Sequence, residues 1–206
     1  MLEHSKNNYR RVVAMSTVHR LFFALWPCPS LSARIGAVSD GLGALDHRVA
    51  NDRLHLTLAM GSDSPGFRQE AAEMMLALAD RVDAAPISLK LERLAGTEHS
   101  LALQPRRRCA PLGALARALA EPLARCNLMR ADWQFSPHVT LGHRKQTPFT
   151  RAISPIAWDA REFVLIHSIV GREYIELGRW PLVSRQWDLF ATEPPPVPVP
   201  QGALAA

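Results

Sequence analysis

The first part of the chain alternates short apolar runs with amphipathic stretches. Residues 21–26 form a continuous apolar run that ends at Pro27, which is typical of a buried strand. Ser30 is a candidate helix cap for the next segment. Apolar residues then recur there at helical spacing, namely Leu31, Ile35, Val38, Leu42 and Leu45. The pattern therefore predicts a strand followed by a helix.

The middle of the chain repeats this alternation. A strand is predicted over about 54–60, and a helix is predicted to follow it as far as about residue 82. The residues expected to face inward on that helix are Phe67, Ala71, Met74, Leu78 and Val82. Residues 87–94 and 100–103 resemble a strand pair joined by a turn that contains Gly96. Another helix is predicted at about 111–126, and Pro122 should bend or shorten it.

The last third begins with a strand after Pro137 and offers two more, at 162–170 and 174–182. A strand-helix-strand unit thus recurs in the second half, although no repeat in residue identity accompanies it. We predict one α+β domain made of two similar lobes.

Two copies of one short pattern lie in this framework. His55-Leu-Thr57-Leu and His138-Val-Thr140-Leu each combine a histidine and a threonine with two apolar residues. Because side chains alternate between the faces of a strand, the histidine and threonine share one face and the apolar residues share the other. One copy would be common by chance, and a lone histidine is usually structural. Two copies facing each other across a cleft would supply two proton-transfer groups and two hydroxyl donors, a set suited to cleaving a phosphate ester.

Composition narrows the class of protein. The chain has 206 residues, is 48% hydrophobic and 21% charged, and carries a formal net charge of +5. Arginine supplies most of the basic excess, which permits a nucleic-acid partner and also fits a simple compositional bias. The cysteines are three in number and never form a CxxC pair, so we expect no disulfide framework, no zinc site and a reducing cytoplasm. No apolar run reaches membrane-spanning length.

The doubled motif resembles that of the two-histidine (2H) phosphoesterase superfamily. Within it, the chain is similar to the RNA 2′,3′-cyclic phosphodiesterases of the 2′-5′ RNA ligase family. The segments that carry this resemblance are Arg20-Leu-Phe-Phe-Ala-Leu25, Arg53-Leu-His-Leu-Thr-Leu58, Phe135-Ser-Pro-His-Val-Thr-Leu141, Phe163-Val-Leu and Tyr174-Ile-Glu-Leu-Gly-Arg-Trp-Pro-Leu182. The resemblance implies a bilobal α+β fold, with two pseudo-symmetric lobes whose antiparallel-rich sheets line a central cleft and with helices outside. We expect this domain at 18–190, a flexible extension at 1–17 and a disordered proline-rich tail at 191–206.

The resemblance also implies an activity, the metal-independent hydrolysis of RNA 2′,3′-cyclic phosphate ends to 2′-phosphomonoesters. In that interpretation His55 is the proton donor and His138 is the proton acceptor, although the residues alone do not distinguish the two roles. Thr57 and Thr140 would bind the non-bridging phosphate oxygens. No cofactor and no metal are expected.

Four further features have both a functional and a structural interpretation. After the second motif such proteins often have Ala-Arg, whereas this chain has Gly142-His143-Arg144. Strand alternation places Arg144 on the face of His138, as a candidate substrate contact or a solvated arginine. It places His143 on the opposite face unless a bulge intervenes. Phe22 is a candidate substrate contact or a core residue, and the run 106–108 of three arginines is a candidate RNA contact or a solvated turn.

Three functions remain open at this point. Beside the cyclic phosphodiesterase, the same histidines could serve a 2′-5′ RNA ligase, and a non-catalytic module could bind RNA ends or nucleotides. The expected partners are RNA with 2′,3′-cyclic phosphate ends or small cyclic nucleotides, with no membrane and a monomeric protein.

Overall fold

A computed structural model describes residues 17–183 as three helices and one antiparallel sheet. The helices are α1 (Pro29–Asp40), α2 (Gln69–Ala79) and α3 (Ala110–Arg125), and a 3₁₀ turn covers Asn51–Arg53. The strands are β1 (His19–Leu25), β2 (His47–Arg48), β3 (Leu56–Met60), β4 (Ile87–Gly96), β5 (Ser100–Gln104), β6 (Val139–His143), β7 (Phe149–Ala160), β8 (Glu162–Ile169) and β9 (Glu173–Pro181). Within the described part of the chain, no helix is long and apolar enough to cross a membrane.

The sheet consists of two halves that meet at the motif strands. The strand order is β7-β4-β5-β6-β3-β1-β8-β9, with β2 paired to β6. Each half contributes one motif strand to the junction, β6 from one half and β3 from the other. The two strands pair at Leu56 and Val139. This arrangement confirms the predicted bilobal α+β fold with two similar halves.

The apolar residues of both motifs anchor their strands to the core. Leu56, Leu58, Val139 and Leu141 are completely buried and belong to the main hydrophobic cluster. The helices pack on this side of the sheet, with α3 against β3 and α1 against β6 and β7. Helix α1 follows β1 in one half and packs on the other half, and α3 follows β5 and packs on the half that contains β3. These two crossings connect the lobes. The opposite side of the sheet, which carries the motif histidines and threonines, is called the cleft face below.

The helices differ from their predictions in detail. Helix α2 begins at Gln69, so Phe67 precedes it and is 42% exposed, while Met74 within it is 43% exposed. The prediction that these two side chains lie inside is wrong, because the buried stripe is instead Ala71, Ala72, Met75 and Ala79. Of the two effects expected of Pro122, a bend or a shorter helix, shortening does not occur, since α3 continues to Arg125.

Strand β7 was absent from the sequence prediction. It pairs with β4 along most of its 12 residues and forms an edge of the sheet. Pro155 lies where the β4–β7 register shifts, between the pairs Leu91–Ile156 and Arg93–Ala152. An edge strand with a bulge is the place where a proline is tolerated in a sheet, because no ladder donor is needed there.

The predicted terminal segments lie outside the described residues. This applies to residues 1–16 of the expected N-terminal extension, to the tail at 191–206 and to 184–190 of the expected domain.

Candidate active site

Each motif histidine lies directly before its strand, at the junction of the two halves. His55 precedes β3, and His138 precedes β6. Because Leu56 pairs with Val139 in antiparallel register, His55 lies level with Thr140, and Thr57 lies level with His138. The two copies of the motif therefore interlock, with each histidine beside the threonine of the other copy. The structure brings together all four residues that the sequence predicted.

The two imidazoles are held in the same way. His55 Nδ1 donates to the carbonyl of Arg53 at 2.7 Å, and His138 Nδ1 donates to the carbonyl of Ser136 at 2.7 Å. In both cases the acceptor lies two residues upstream. A carbonyl can only accept, so each bond fixes the proton on Nδ1 and leaves Nε2 for proton transfer. The matched bonds therefore leave the same ring nitrogen, Nε2, without a backbone partner in both histidines.

The surroundings of His55 favour a neutral ring. The Phe22 ring lies 4.9 Å from the His55 ring, and the edge of Tyr174 lies 5.5 Å from it. Burial lowers the pKa of His55 to about 4; the Arg53 carbonyl raises this pKa, and the charge of His138 lowers it further. The influence of His138 on this pKa also shows that the two rings are electrostatic neighbours.

The two threonines complete a polar site on the cleft face. Both side chains are half-buried. No residue within 17–183 forms a hydrogen bond with either hydroxyl. Both hydroxyls can therefore donate to an oxygen atom of a ligand placed between the histidines.

A β-bulge reverses the prediction for the residues after the second motif. The pairing of β5 with β6 shifts register, so that Thr140 faces Ala102 while His143 faces Ser100. Since Ala102 and Ser100 lie on the same face of β5, His143 shares the face of Thr140. The bulge is therefore the exception under which His143 does not lie on the opposite face. The ring of His143 stacks on His47 at 5.9 Å.

Arg144 leaves the cleft face for the same reason. Its guanidinium donates to the backbone carbonyls of Leu42 and Ala44, at 2.9 and 3.3 Å, and to the side chain of Gln146. These bonds tie the end of β6 to the loop that follows α1. Neither candidate role, a substrate contact or a solvated arginine, matches these bonds, because the Arg144 guanidinium holds the loop that follows α1.

Phe22 supports His55 from the sheet. Only 2% of its surface is exposed, and it packs with Ala24, Val164 and Ile166 in a small apolar cluster on the cleft face. Its contact with the site is therefore with the His55 ring, and little of the Phe22 surface is available to a ligand.

Sequence analysis missed two residues that surround His55. Tyr174 packs against both Phe22 and His55, and the Arg53 guanidinium lies 5.6 Å from the centre of the Tyr174 ring. Arg53 also donates to the carbonyl of Arg172. Both residues stand in the segments that carried the resemblance, but their role depends on the pairing of β8 with the distant β1, which no local pattern reveals. Among residues 17–183, no three histidine, cysteine or acidic side chains converge as a metal-binding group.

Comparisons with known proteins agree with this geometry. A family model described as the 2′-5′ RNA ligase superfamily matches residues 27–171, which include both motifs. A solved phosphoesterase is 26% identical, with a TM-score of 0.68 over 80% of this chain and 99% of its own. Apo E. coli LigT is 28% identical, with a TM-score of 0.67 over 82% of this chain and 99% of its own. LigT with 3′-AMP is 26% identical, with a TM-score of 0.68 over 80% and 98%. No curated protein matches the chain.

Proposed function

The chain belongs to the 2′-5′ RNA ligase superfamily, and from this membership we propose that it hydrolyses RNA 2′,3′-cyclic phosphate ends to 2′-phosphomonoesters. Membership itself supports phosphoester cleavage or ligation. The observation that carries the finer proposal is the matched pair of imidazoles, each with Nδ1 held by a carbonyl and Nε2 available on one cleft face. Opening a cyclic phosphate requires one proton to leave the attacking water and one to reach the departing oxygen, which is a task for two such groups.

In the proposed reaction His138 Nε2 removes a proton from water as the water oxygen bonds to phosphorus. The bond from phosphorus to the ribose 3′ oxygen breaks, and that oxygen takes a proton from His55 Nε2. The product keeps its phosphate on the 2′ oxygen. Thr57 and Thr140 donate hydrogen bonds to the non-bridging oxygens, where negative charge concentrates in the transition state.

The low pKa of His55 adds a condition to this assignment. A ring with a pKa of about 4 is neutral at pH 7 in the unliganded protein, whereas a proton donor must be charged. A phosphodiester anion bound against the ring favours the charged form and raises the pKa. We therefore propose that His55 takes up its proton together with the substrate.

The nature of the ligand also has support from a relative. E. coli LigT, 26% identical, was crystallised with 3′-AMP. A ribonucleotide monophosphate resembles the product of the proposed reaction, which differs in carrying its phosphate on the 2′ oxygen.

The test is hydrolysis of a short RNA that ends in a 2′,3′-cyclic phosphate, measured in EDTA. The wild type should produce a 2′-phosphate, and His55→Ala and His138→Ala should each lose about 10²- to 10⁴-fold in rate, the usual contribution of one general acid or base. His99→Ala is the matched control, because His99 is exposed on the β4–β5 turn.

Two results would contradict the proposal. One is the absence of wild-type turnover on cyclic phosphate ends, and the other is full activity in either motif variant. Including an RNA with a free 5′ hydroxyl end in the same assay identifies the ligase direction, since joined product would then appear in place of the 2′-phosphate.

A further inference from the structure

The cleft face continues from His138 into the half of the sheet formed by β5, β4 and β7. Leu103 pairs with Val139, so Gln104 lies level with His138 on the neighbouring strand. Gln104 in turn pairs with Arg93 on β4. Thr57, His138, Gln104 and Arg93 therefore form one row across four strands. At about 4.8 Å per strand, the Arg93 backbone lies about 10 Å from that of His138.

Arg93 has an unsatisfied donor. Its Nη2 donates to the side-chain oxygen of Gln104 at 2.8 Å, but its Nε is buried and meets no acceptor among residues 17–183. No acidic side chain in the same part of the chain forms an ion pair with it. A half-buried guanidinium with an unused donor costs free energy unless something binds it, and its planar fork suits phosphate oxygens.

A basic groove extends the cleft face beyond Arg93. Lys90 stands between the buried Leu89 and Leu91, and Arg93 directly precedes the buried Leu94. The register of β4 shifts between Leu91 and Arg93, so both side chains face away from the core although they are three residues apart. A cavity of about 590 Å³ lies beside it, between β4 and the loop that follows β5. Its charged lining residues are the cations Lys90, Arg106, Arg107 and Arg108 and the carboxylates Glu92 and Asp159. The four cations outnumber the two carboxylates, so the groove has an excess of positive charge.

We propose that Arg93 and this groove bind the internucleotide phosphates of a single-stranded RNA whose 3′ end is held between His55 and His138. This inference rests on the proposed function and adds its substrate class, an oligonucleotide rather than a mononucleotide. Arg93 binds the phosphate nearest the cyclic end, and the arginines at 106–108 bind phosphates further upstream. The arginine run is thus part of a continuous path and not an isolated solvated turn.

The test compares adenosine 2′,3′-cyclic phosphate with a single-stranded hexanucleotide that has the same end. The variants are Arg93→Gln and the double change R106Q/R107Q, at two exposed positions. The control is R117Q/R125Q, which removes the same charge from exposed positions of α3, on the other side of the sheet. Arg93→Gln and R106Q/R107Q should each raise KM for the hexanucleotide about tenfold, because hydrogen bonds to charged groups are the stronger ones. KM for the mononucleotide should not change.

Salt dependence gives a second measure. Each phosphate contact that is lost should flatten the slope of log(kcat/KM) against log salt by about 0.7 for the hexanucleotide. A purely structural effect of Arg93→Gln would not change this slope.

The possible results separate this inference from the proposed function. A tenfold rise in KM that is confined to the hexanucleotide supports phosphate binding by Arg93 and the groove. Equal effects on both substrates, or equal effects of the control, overturn it. If neither substrate is hydrolysed, the proposed function fails. Binding of a labelled hexanucleotide with a terminal 2′-phosphate, measured for the same variants, then tests whether Arg93 and the groove bind RNA.

Discussion

Replacement of His55 by asparagine should remove a specific part of the pH dependence of stability. Asparagine can keep the hydrogen bond to the Arg53 carbonyl but has no proton to gain. In the folded protein burial lowers the pKa of His55 from 6.5 to about 4. Between these two pH values the unfolded chain binds a proton at this residue and the folded chain does not. The free energy of unfolding therefore falls as the pH drops from about 6.5 to about 4.

The size of this effect follows from the shift. Each pKa unit corresponds to about 1.36 kcal/mol, so the histidine should account for about 3 kcal/mol of stability that is present at pH 7 and lost at pH 4. Denaturant unfolding at a series of pH values measures it. The wild type should lose about 3 kcal/mol more than His55→Asn over this range, since the other titrating groups contribute equally to both proteins.

A control and a contradicting result complete this test. His99→Asn changes an exposed histidine and should follow the wild-type curve. Parallel curves for the wild type and His55→Asn would show that burial against Phe22 and Tyr174 does not hold the ring neutral, and the reasoning from desolvation would be refuted.

Three further predictions concern the neighbours of the site. Tyr174→Ala should admit water and raise the pKa of His55 towards 6.5, whereas Tyr174→Phe should leave it near the wild-type value, as followed by NMR titration; no difference between the two variants would contradict this. Thr57→Val and Thr140→Val should each lower kcat on a cyclic phosphate about 10²-fold, because each removes a donor to the charged oxygens; unchanged kcat would exclude that role. Arg144→Met should lower the free energy of unfolding by about 1–3 kcal/mol through its lost carbonyl bonds, with KM unchanged in steady-state assays; a raised KM at normal stability would return Arg144 to the site.

The motif strands could be predicted from the sequence because their pattern is local. In each copy the apolar residues must face the core, so the register is fixed and the histidine and threonine are left on the cleft face. The buried Leu56 and Val139 show this directly, and their pairing interlocks the two motifs. The local alternation of apolar and polar residues is therefore enough to predict most of the site.

The remaining features depend on pairs of strands that are distant in the chain. The bulge in β6 exists only relative to β5, and it exchanges the faces of His143 and Arg144. Strand β7 contains Pro155, which argues against a strand unless the residue is known to lie at an edge. Around α2, the spacing of Phe67 and Met74 fits a helical stripe as well as the spacing of the residues that are actually buried. Packing of α2 against α3 and β9 decides between the two stripes.

The central claim is that His55 and His138 act on one phosphate in one step. A double-mutant cycle with His55→Ala, His138→Ala and the double variant tests it most directly, by single-turnover hydrolysis of an RNA with a 2′,3′-cyclic phosphate end. Groups that act together in one transition state give strongly non-additive losses. The double variant should therefore be much faster than the product of the two single losses would allow. Fully multiplicative losses, as for independent sites, would contradict it.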